Sequence, residues 1–371
     1  MISNPATKLI HWRMLYSLSA LLIVALAGCG STSSAPAPEA ASPAGSAAAS
    51  AAPSAAASAS AEPSAAAAAS ATAGATRPFQ HLFGATDVPT QPERIVAADL
   101  GAFIPTLGTL AALGVRPVAV TADQTPEYLA SQIEDVQVLR GQANYEAIAA
   151  LKPDLIITPG VEYNRENYDT LAKIGPTAAP LWYWQTLEQV TGYWRAVADL
   201  VGKPTEGEQL VTKLNERIAA LRTELEPRMQ GKTVSVFQVQ GPGLGGLYLQ
   251  TGRLESSLIH ALGIARPANQ TYDPNNAAWY VELSPELLPQ ADAWAIFVEV
   301  YAANPDEIPA IQQQLEANPL WQQLDAVKNK RVFYVKTDAW SGTDPFVANS
   351  ILDLIETNLS SALDAASSGA R

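Results

Sequence analysis

The sequence runs to 371 residues, with 36 acidic against 23 basic side chains, one cysteine and three histidines. A net charge of −13 without any basic stripe excludes sequence-independent nucleic-acid binding, which needs clustered Lys and Arg against phosphate. The single cysteine, Cys29, excludes intrachain disulfides and thiolate metal clusters. His11, His81 and His260 are too few for a multi-histidine metal centre, since His11 falls in an apolar leader.

Residues 1–28 read as a lipoprotein signal peptide. Lys8 and Arg13 precede an apolar stretch from Leu15 to Leu26, shorter than the ~20 residues that span a bilayer as a helix. It ends in Leu26-Ala27-Gly28-Cys29, which resembles a bacterial lipobox, so Cys29 is the expected lipidation site. Residues 29–76 read as a disordered tether. Positions 31–76 hold 23 alanines, broken by Pro36, Pro38, Pro43, Pro53 and Pro63, with almost no large apolar side chain to offset the entropy of ordering. These two segments hold two basic and two acidic residues, so the whole net charge sits on the remainder.

From Arg77 onward, short β-branched runs alternate with helical patterns. Candidate strands are Arg94–Ala98, Pro117–Val120, Asp154–Thr158, Thr233–Gln240, Trp294–Val300 and Arg331–Val335. Such alternation implies βαβ units and mainly parallel sheets. There is an internal echo. Ala112-Leu113-Gly114-Val115 returns as Ala261-Leu262-Gly263-Ile264, and Pro153-Asp154-Leu155-Ile156 as Ala291-Asp292-Ala293-Trp294. Between the copies, Leu210, Leu214, Ile218, Leu221 and Leu225 form one apolar stripe, opened by Pro204 and closed by Pro227, on a helix of roughly 35 Å. The expected fold is α/β: two Rossmann-like lobes with mainly parallel sheets, an N-terminal lobe over 77–203 and a C-terminal lobe over 230–371. One long helix at 204–229 joins them, and a ligand cleft lies between. Clefts of this kind form at the carboxyl ends of strands.

Four segments then carry a resemblance to a known family. They are Pro92-Glu93-Arg94-Ile95-Val96-Ala97, the run from Asn144 through Glu146-Ala147-Ile148 to Pro153-Asp154-Leu155-Ile156-Ile157, Leu283-Ser284-Pro285-Glu286-Leu287-Leu288, and Asn318-Pro319-Leu320-Trp321 continuing to Lys330-Arg331-Val332. In order and spacing they are similar to the substrate-binding lipoproteins of ABC importers for ferric siderophores and cobalamin, over roughly residues 92–360. The resemblance implies capture of a ferric siderophore and delivery to an ABC permease, by a non-enzymatic monomer held to the membrane by lipid and facing the periplasm or cell exterior. No cofactor and no metal ligands are expected, because the metal arrives already chelated. A hydroxamate- or carboxylate-type complex is favoured over a tris-catecholate. Haem or cobalamin in the same role, or a surface sensor without a permease, are the alternatives. An enzyme would need a reactive constellation, and neither a Gly-x-Ser-x-Gly elbow nor a cysteine nucleophile occurs beyond the leader.

A site for a ferric siderophore needs flat aromatic walls and a few donors aimed at the metal-bound oxygens. Large aromatics in polar loops contact ligands more often than those in periodic segments, the other reading being that they cap the core. This singles out Trp184, in Trp182-Tyr183-Trp184 after Pro180, and Trp279-Tyr280 after a turn signal. Trp340 is similar to a family tryptophan of the C-lobe wall. Arg140 matches an arginine that, in ferric hydroxamate binders, contacts the iron-bound oxygens. Tyr163 resembles a phenolic contact, with Arg165 as the neighbouring option. Tyr248 and Arg253 are candidates by position around a Gly-rich turn. The family docks to its permease through a surface glutamate on each lobe. The corresponding positions here are Gly108 and Ser257, so Glu255 is the candidate docking acid.

Overall fold

Runs such as Ile95-Val96-Ala97 and Leu155-Ile156-Ile157 alternate their side chains between two apolar layers and are buried on both faces, as parallel strands under helices must be. The computed structural model describes residues 75–99, 104–123, 125–140, 144–273 and 280–368. The leader, Cys29, the tether and Trp279 lie outside the described residues.

The first half comprises β1 (Thr76–His81), β2 (Gly84–Pro89), β3 (Ile95–Ala97), α1 (Pro105–Ala112), β4 (Ala119–Thr121), β5 (Gln137–Leu139), α2 (Tyr145–Ala150), β6 (Leu155–Ile157), α3 (Arg165–Leu171), β7 (Thr177–Ala178) and α4 (Leu187–Leu200). The second half begins with α5 (Pro204–Arg228) and continues through β8 (Val234–Gln240), β9 (Gly246–Gln250), α6 (Leu254–Ala261), β10 (Tyr280–Leu283), β11 (Ala295–Tyr301), α7 (Ile308–Glu316), α8 (Asp325–Lys328), β12 (Val332–Val335), α9 (Thr337–Trp340) and α10 (Pro345–Ser368).

The N-lobe sheet is wholly parallel, in the order β5-β4-β3-β6-β7. The C-lobe sheet, β10-β9-β8-β11-β12, is mixed: β8, β11 and β12 are parallel, while β9 runs antiparallel to both β8 and β10. All six strands expected from the sequence are present. The hairpin β1–β2 and strands β5, β7, β9 and β10 are additional, and most of them are short or half-polar.

The internal echo has a physical basis. Helices α1 and α6 both end on a left-handed glycine, Gly114 (φ +69°) and Gly263 (φ +72°). In both, the next residue's N–H bonds back into the helix, Val115 to Leu110 and Ile264 to Ile259. The repeated aspartates also act alike. Asp154 accepts from the backbone N–H of Glu93 and Arg94, and Asp292 from those of Asp325 and Ala326.

Helix α5 buries Val211, Leu214, Ile218, Leu221 and Leu225, close to the expected stripe. Pro227 does not close it. The helix runs on to Arg228, because a proline in the last turn removes only one helical N–H, and Met229 still bonds to Leu225 at 2.8 Å. Helices α4, α5 and α10 pack together with α1 and α6, so one apolar core joins the inner faces of both sheets. Two smaller cores cover the outer faces, around Ile148 and Ile156 in the N-lobe and around Phe237 and Trp321 in the C-lobe.

Candidate functional site

Strand β8 sends Val234 and Val236 into the shared core, and β11 sends Ala295 and Phe297 there. Two residues further on, the same faces become polar: Gln238 and Gln240 on β8, Glu299 and Tyr301 on β11. The parallel register sets Gln238 beside Glu299 and Gln240 beside Tyr301. These four side chains emerge at the carboxyl ends of the strands and line a cavity of about 410 Å3. That volume is within the usual range for small-molecule sites.

The N-lobe supplies the opposite wall from the loops after β6 and β7. Tyr163 lies in a short 310 turn and is 70% exposed. Trp182 and Trp184 follow β7, with their rings 5.1 Å apart and tilted by 54°. Gly160 allows the two loops to meet. Its N–H bonds to Pro180 O at 2.8 Å and its carbonyl accepts from Trp182 N at 3.1 Å, while a Cβ there would overlap the Ala179 carbonyl. Trp182 is buried and donates its indole N–H to Thr343 Oγ1 at 2.9 Å, bridging to the loop ahead of α10. Just beyond Trp184, Thr186 and Gln189 form a reciprocal cap that starts α4 and fixes the loop's exit. The C-lobe completes the cavity with Arg253, Leu254, Glu255, Thr337, Ser341, Gly342 and Thr343.

The floor is a buried polar network. Glu299 accepts from Ser341 Oγ at 2.6 Å and from Gln238 Nε2 at 2.7 Å. Gln238 Oε1 accepts in turn from Gln240 and Gln250. Arg253 stands over two carboxylates, 3.6 Å from Glu255 and 3.7 Å from Glu299, whose side chains are only 2% and 1% exposed. Burial raises the Glu255 pKa, Arg253 pulls it back down and Glu299 raises it further. Behind Glu255, burial lowers Arg266 to about 10, partly offset by Glu255 itself. Arg266 donates to Ser256, to Gln250 O and to Gln270.

A second cavity of about 320 Å3 adjoins the first, sharing Tyr301, Thr337, Ser341, Gly342 and Thr343. Its N-lobe wall carries Glu127 and Tyr128, and its C-lobe wall Asp338 and Asp344. Tyr128 donates to Asp344 at 2.7 Å across the cleft, and Asp344 also caps α10 through Phe346 N and Val347 N. Asp99, beneath α1, accepts from Thr106 N and Leu107 N. Burial pushes its carboxyl up to about 7, with Asp344 adding to the rise.

The structure brings Tyr163, Trp184 and Arg253 together, but not every expected contact. Trp340 is fully buried, stacked on Phe297 at 5.0 Å, so it belongs to the core while its neighbours Ser341 to Thr343 line the cavity. Arg165 stacks on Phe83 of the N-terminal hairpin turn, 4.9 Å from the ring centre, and does not line the cavity. Arg140 is exposed at the end of β5, donating to the Asp123 carbonyl, and is likewise not part of the wall. Tyr248 sits opposite Gln238 and packs edge-on against Tyr280 at 4.9 Å, one strand outward from the cavity. Glu255 is not a docking residue. At 1% exposure on the cavity floor it cannot reach a permease. Gly108 and Ser257 are buried as well, the first against Asp344 and the second accepting from Leu187 N. The polar interruptions Gln238, Gln240 and Glu299 were the overlooked signal: period-two polar residues at the carboxyl ends of otherwise apolar strands.

Residues 105–339 match the family model described as Periplasmic binding protein. The chain belongs to the periplasmic binding protein family. Members are non-enzymatic solute-binding components, so this chain binds a solute and catalyses nothing. It is 30% identical over 300 residues to a probable siderophore-binding lipoprotein, YfiY, of Bacillus subtilis (strain 168), covering 76% of this chain and 87% of that one. It is 26% identical over 275 residues to the iron(3+)-hydroxamate-binding protein YxeB of the same organism, covering 73% and 81%. Among solved structures, Staphylococcus aureus SirA complexed with staphyloferrin B superposes with a TM-score of 0.65 at 24% identity, covering 78% of this chain and 99% of that one. That likeness establishes the two-lobed fold of this periplasmic binding protein. Among the described residues, no helix is long and apolar enough to cross a membrane.

Proposed function

We propose that the protein captures a ferric siderophore, of hydroxamate or carboxylate type, between its lobes and delivers it to an ABC permease. The observation that carries this reading is the cleft: Tyr163, Trp182 and Trp184 from the N-lobe and Tyr301 from the C-lobe offer aromatic surface, and Arg253, Gln238 and Gln240 offer N–H groups from the C-lobe wall. A ferric chelate is compact, has an apolar rim and presents oxygens around the metal, which matches that division of labour. The relatives' names, siderophore-binding lipoprotein and iron(3+)-hydroxamate-binding protein, support the same role. In this reading Cys29 carries the lipid, residues 29–76 are the tether, and the protein works as a monomer outside the cytoplasmic membrane.

Uptake of radiolabelled ferric siderophore by cells with and without the protein tests the proposal. Loss of uptake on deletion, restored by the intact chain and reduced by Cys29→Ser together with release of the protein from membranes, is the expected result. Undiminished uptake of every ferric siderophore tried would overturn it.

A further inference from the structure

Charge in the cleft is one-sided. Across both cavities the described lining residues include one cation, Arg253, and five carboxylates: Glu127, Glu255, Glu299, Asp338 and Asp344. The stretches of sequence left undescribed between 100 and 279 hold no charged residue, so they do not redress the balance. Arg253 is itself committed, with Glu255 and Glu299 at 3.6 and 3.7 Å. Glu299 is satisfied by Ser341 and Gln238. Glu255 is not. Its carboxylate is buried and lines the larger cavity, and Oε1 accepts no hydrogen bond, since the Arg253 Nε lies beyond hydrogen-bond distance. A buried acceptor without a donor is costly and rare. Glu255 lines the cavity where ligand sits.

We propose that Glu255 is the acceptor of a subsite for a protonated amine on the periphery of the ligand, so that the protein prefers ferric complexes of positive net charge. The inference rests on the siderophore reading above and narrows it. An ammonium group donates to Glu255 Oε1 and is attracted by the surplus carboxylates of the adjoining cavity. A triply negative complex meets the same carboxylates and only one cation, already shared between two acids. Carboxylate exclusion of anions and attraction of cations in a desolvated cleft both act on affinity and selection.

The test uses the full chain and follows tryptophan fluorescence with three probes. They are ferrioxamine B, singly positive with a pendant ammonium; its N-acetyl derivative, neutral with the same iron coordination; and ferric enterobactin, triply negative. The wild type is expected to bind ferrioxamine B about tenfold or more tightly than the acetylated complex, and enterobactin weakest. Glu255→Gln, which preserves size, is expected to abolish that difference, read as the ratio of the two affinities within the same variant. Equal wild-type affinity for the first two probes, or tightest binding of enterobactin, overturns the inference and leaves siderophore capture standing. That wild-type comparison decides the matter even if the variant does not fold. Binding of none of the three, nor of ferric citrate, overturns both readings.

Discussion

Arg253→Ala isolates the electrostatics of the cleft floor. The guanidinium lies 3.6 Å from Glu255 and 3.7 Å from Glu299, both nearly inaccessible to water. At an effective dielectric of about 20, a unit pair at that separation attracts by about 4–5 kcal/mol before desolvation is subtracted. Neither contact is close enough to be a hydrogen bond, and Arg266 partly compensates Glu255, so the expected net loss of stability is about 3 kcal/mol, at the lower end for breaking a buried ion pair. The loss has a pH signature. Burial raises the folded-state pKa of Glu255 and Arg253 holds it below what burial alone would give, so the contribution of Arg253 is present where Glu255 is ionised in the folded chain, above that raised pKa, and is lost as pH falls through it. Urea unfolding should therefore show a larger deficit at pH 8 than at pH 5, and Arg253→Ala with Glu255→Gln should recover part of it. A deficit below about 0.5 kcal/mol, equal at both pH values, would refute the view that Arg253 is the counter-charge of the floor.

Three further expectations follow from the same geometry. Trp184→Ala should weaken ligand binding by about tenfold with little change in unfolding midpoint, whereas Trp182→Ala, which also loses its bond to Thr343, should cost about 3 kcal/mol or more of stability; urea unfolding and fluorescence titration separate the two. Gly108→Ala should destabilise by about 1–3 kcal/mol in urea, because its methyl group would overlap the Asp344 side chain, whereas a surface docking position would tolerate it. Asp99 has a folded-state pKa raised to about 7, so the folded chain binds its proton more tightly than the unfolded chain. Stability should fall as pH rises from about 4 to about 7 and then level off, and Asp99→Asn should flatten the fall seen between pH 5 and pH 8 in urea midpoints.

The sequence made the framework legible because its signals were strong and local. The apolar runs of β3, β6, β8 and β11 are buried on both faces, and the stripe of α5 is long enough to read without tertiary context. Strands β7 and β9 were not legible for the opposite reason: one has two residues, and the other sits between glycines and pairs antiparallel in a sheet that elsewhere is parallel. The site was half legible. Trp184 stood out as an aromatic in a polar loop and Tyr163 by resemblance to a phenolic contact of the family, and both reach the cavity. Trp340, expected on the C-lobe wall from the resemblance, does not reach it, because the segment after β12 folds into α9 and turns the indole onto Phe297. Arg165 fails because a hairpin the sequence did not announce places Phe83 beneath it. Glu255 was assigned to the surface as the acid near Ser257, the position corresponding to the family's docking glutamate. In the fold, α6 starts at the cavity floor and carries that carboxylate inward.

The central claim is that the cleft holds an iron-loaded chelate. The most direct measurement is a fluorescence titration of the purified protein with one siderophore in its ferric and iron-free forms, since Trp182 and Trp184 face the site. Saturable quenching by the ferric form at micromolar concentration or below, roughly −8 kcal/mol of binding, with none by the iron-free form, is the predicted result. Absence of saturable quenching across ferric hydroxamates, citrate and catecholates would contradict it.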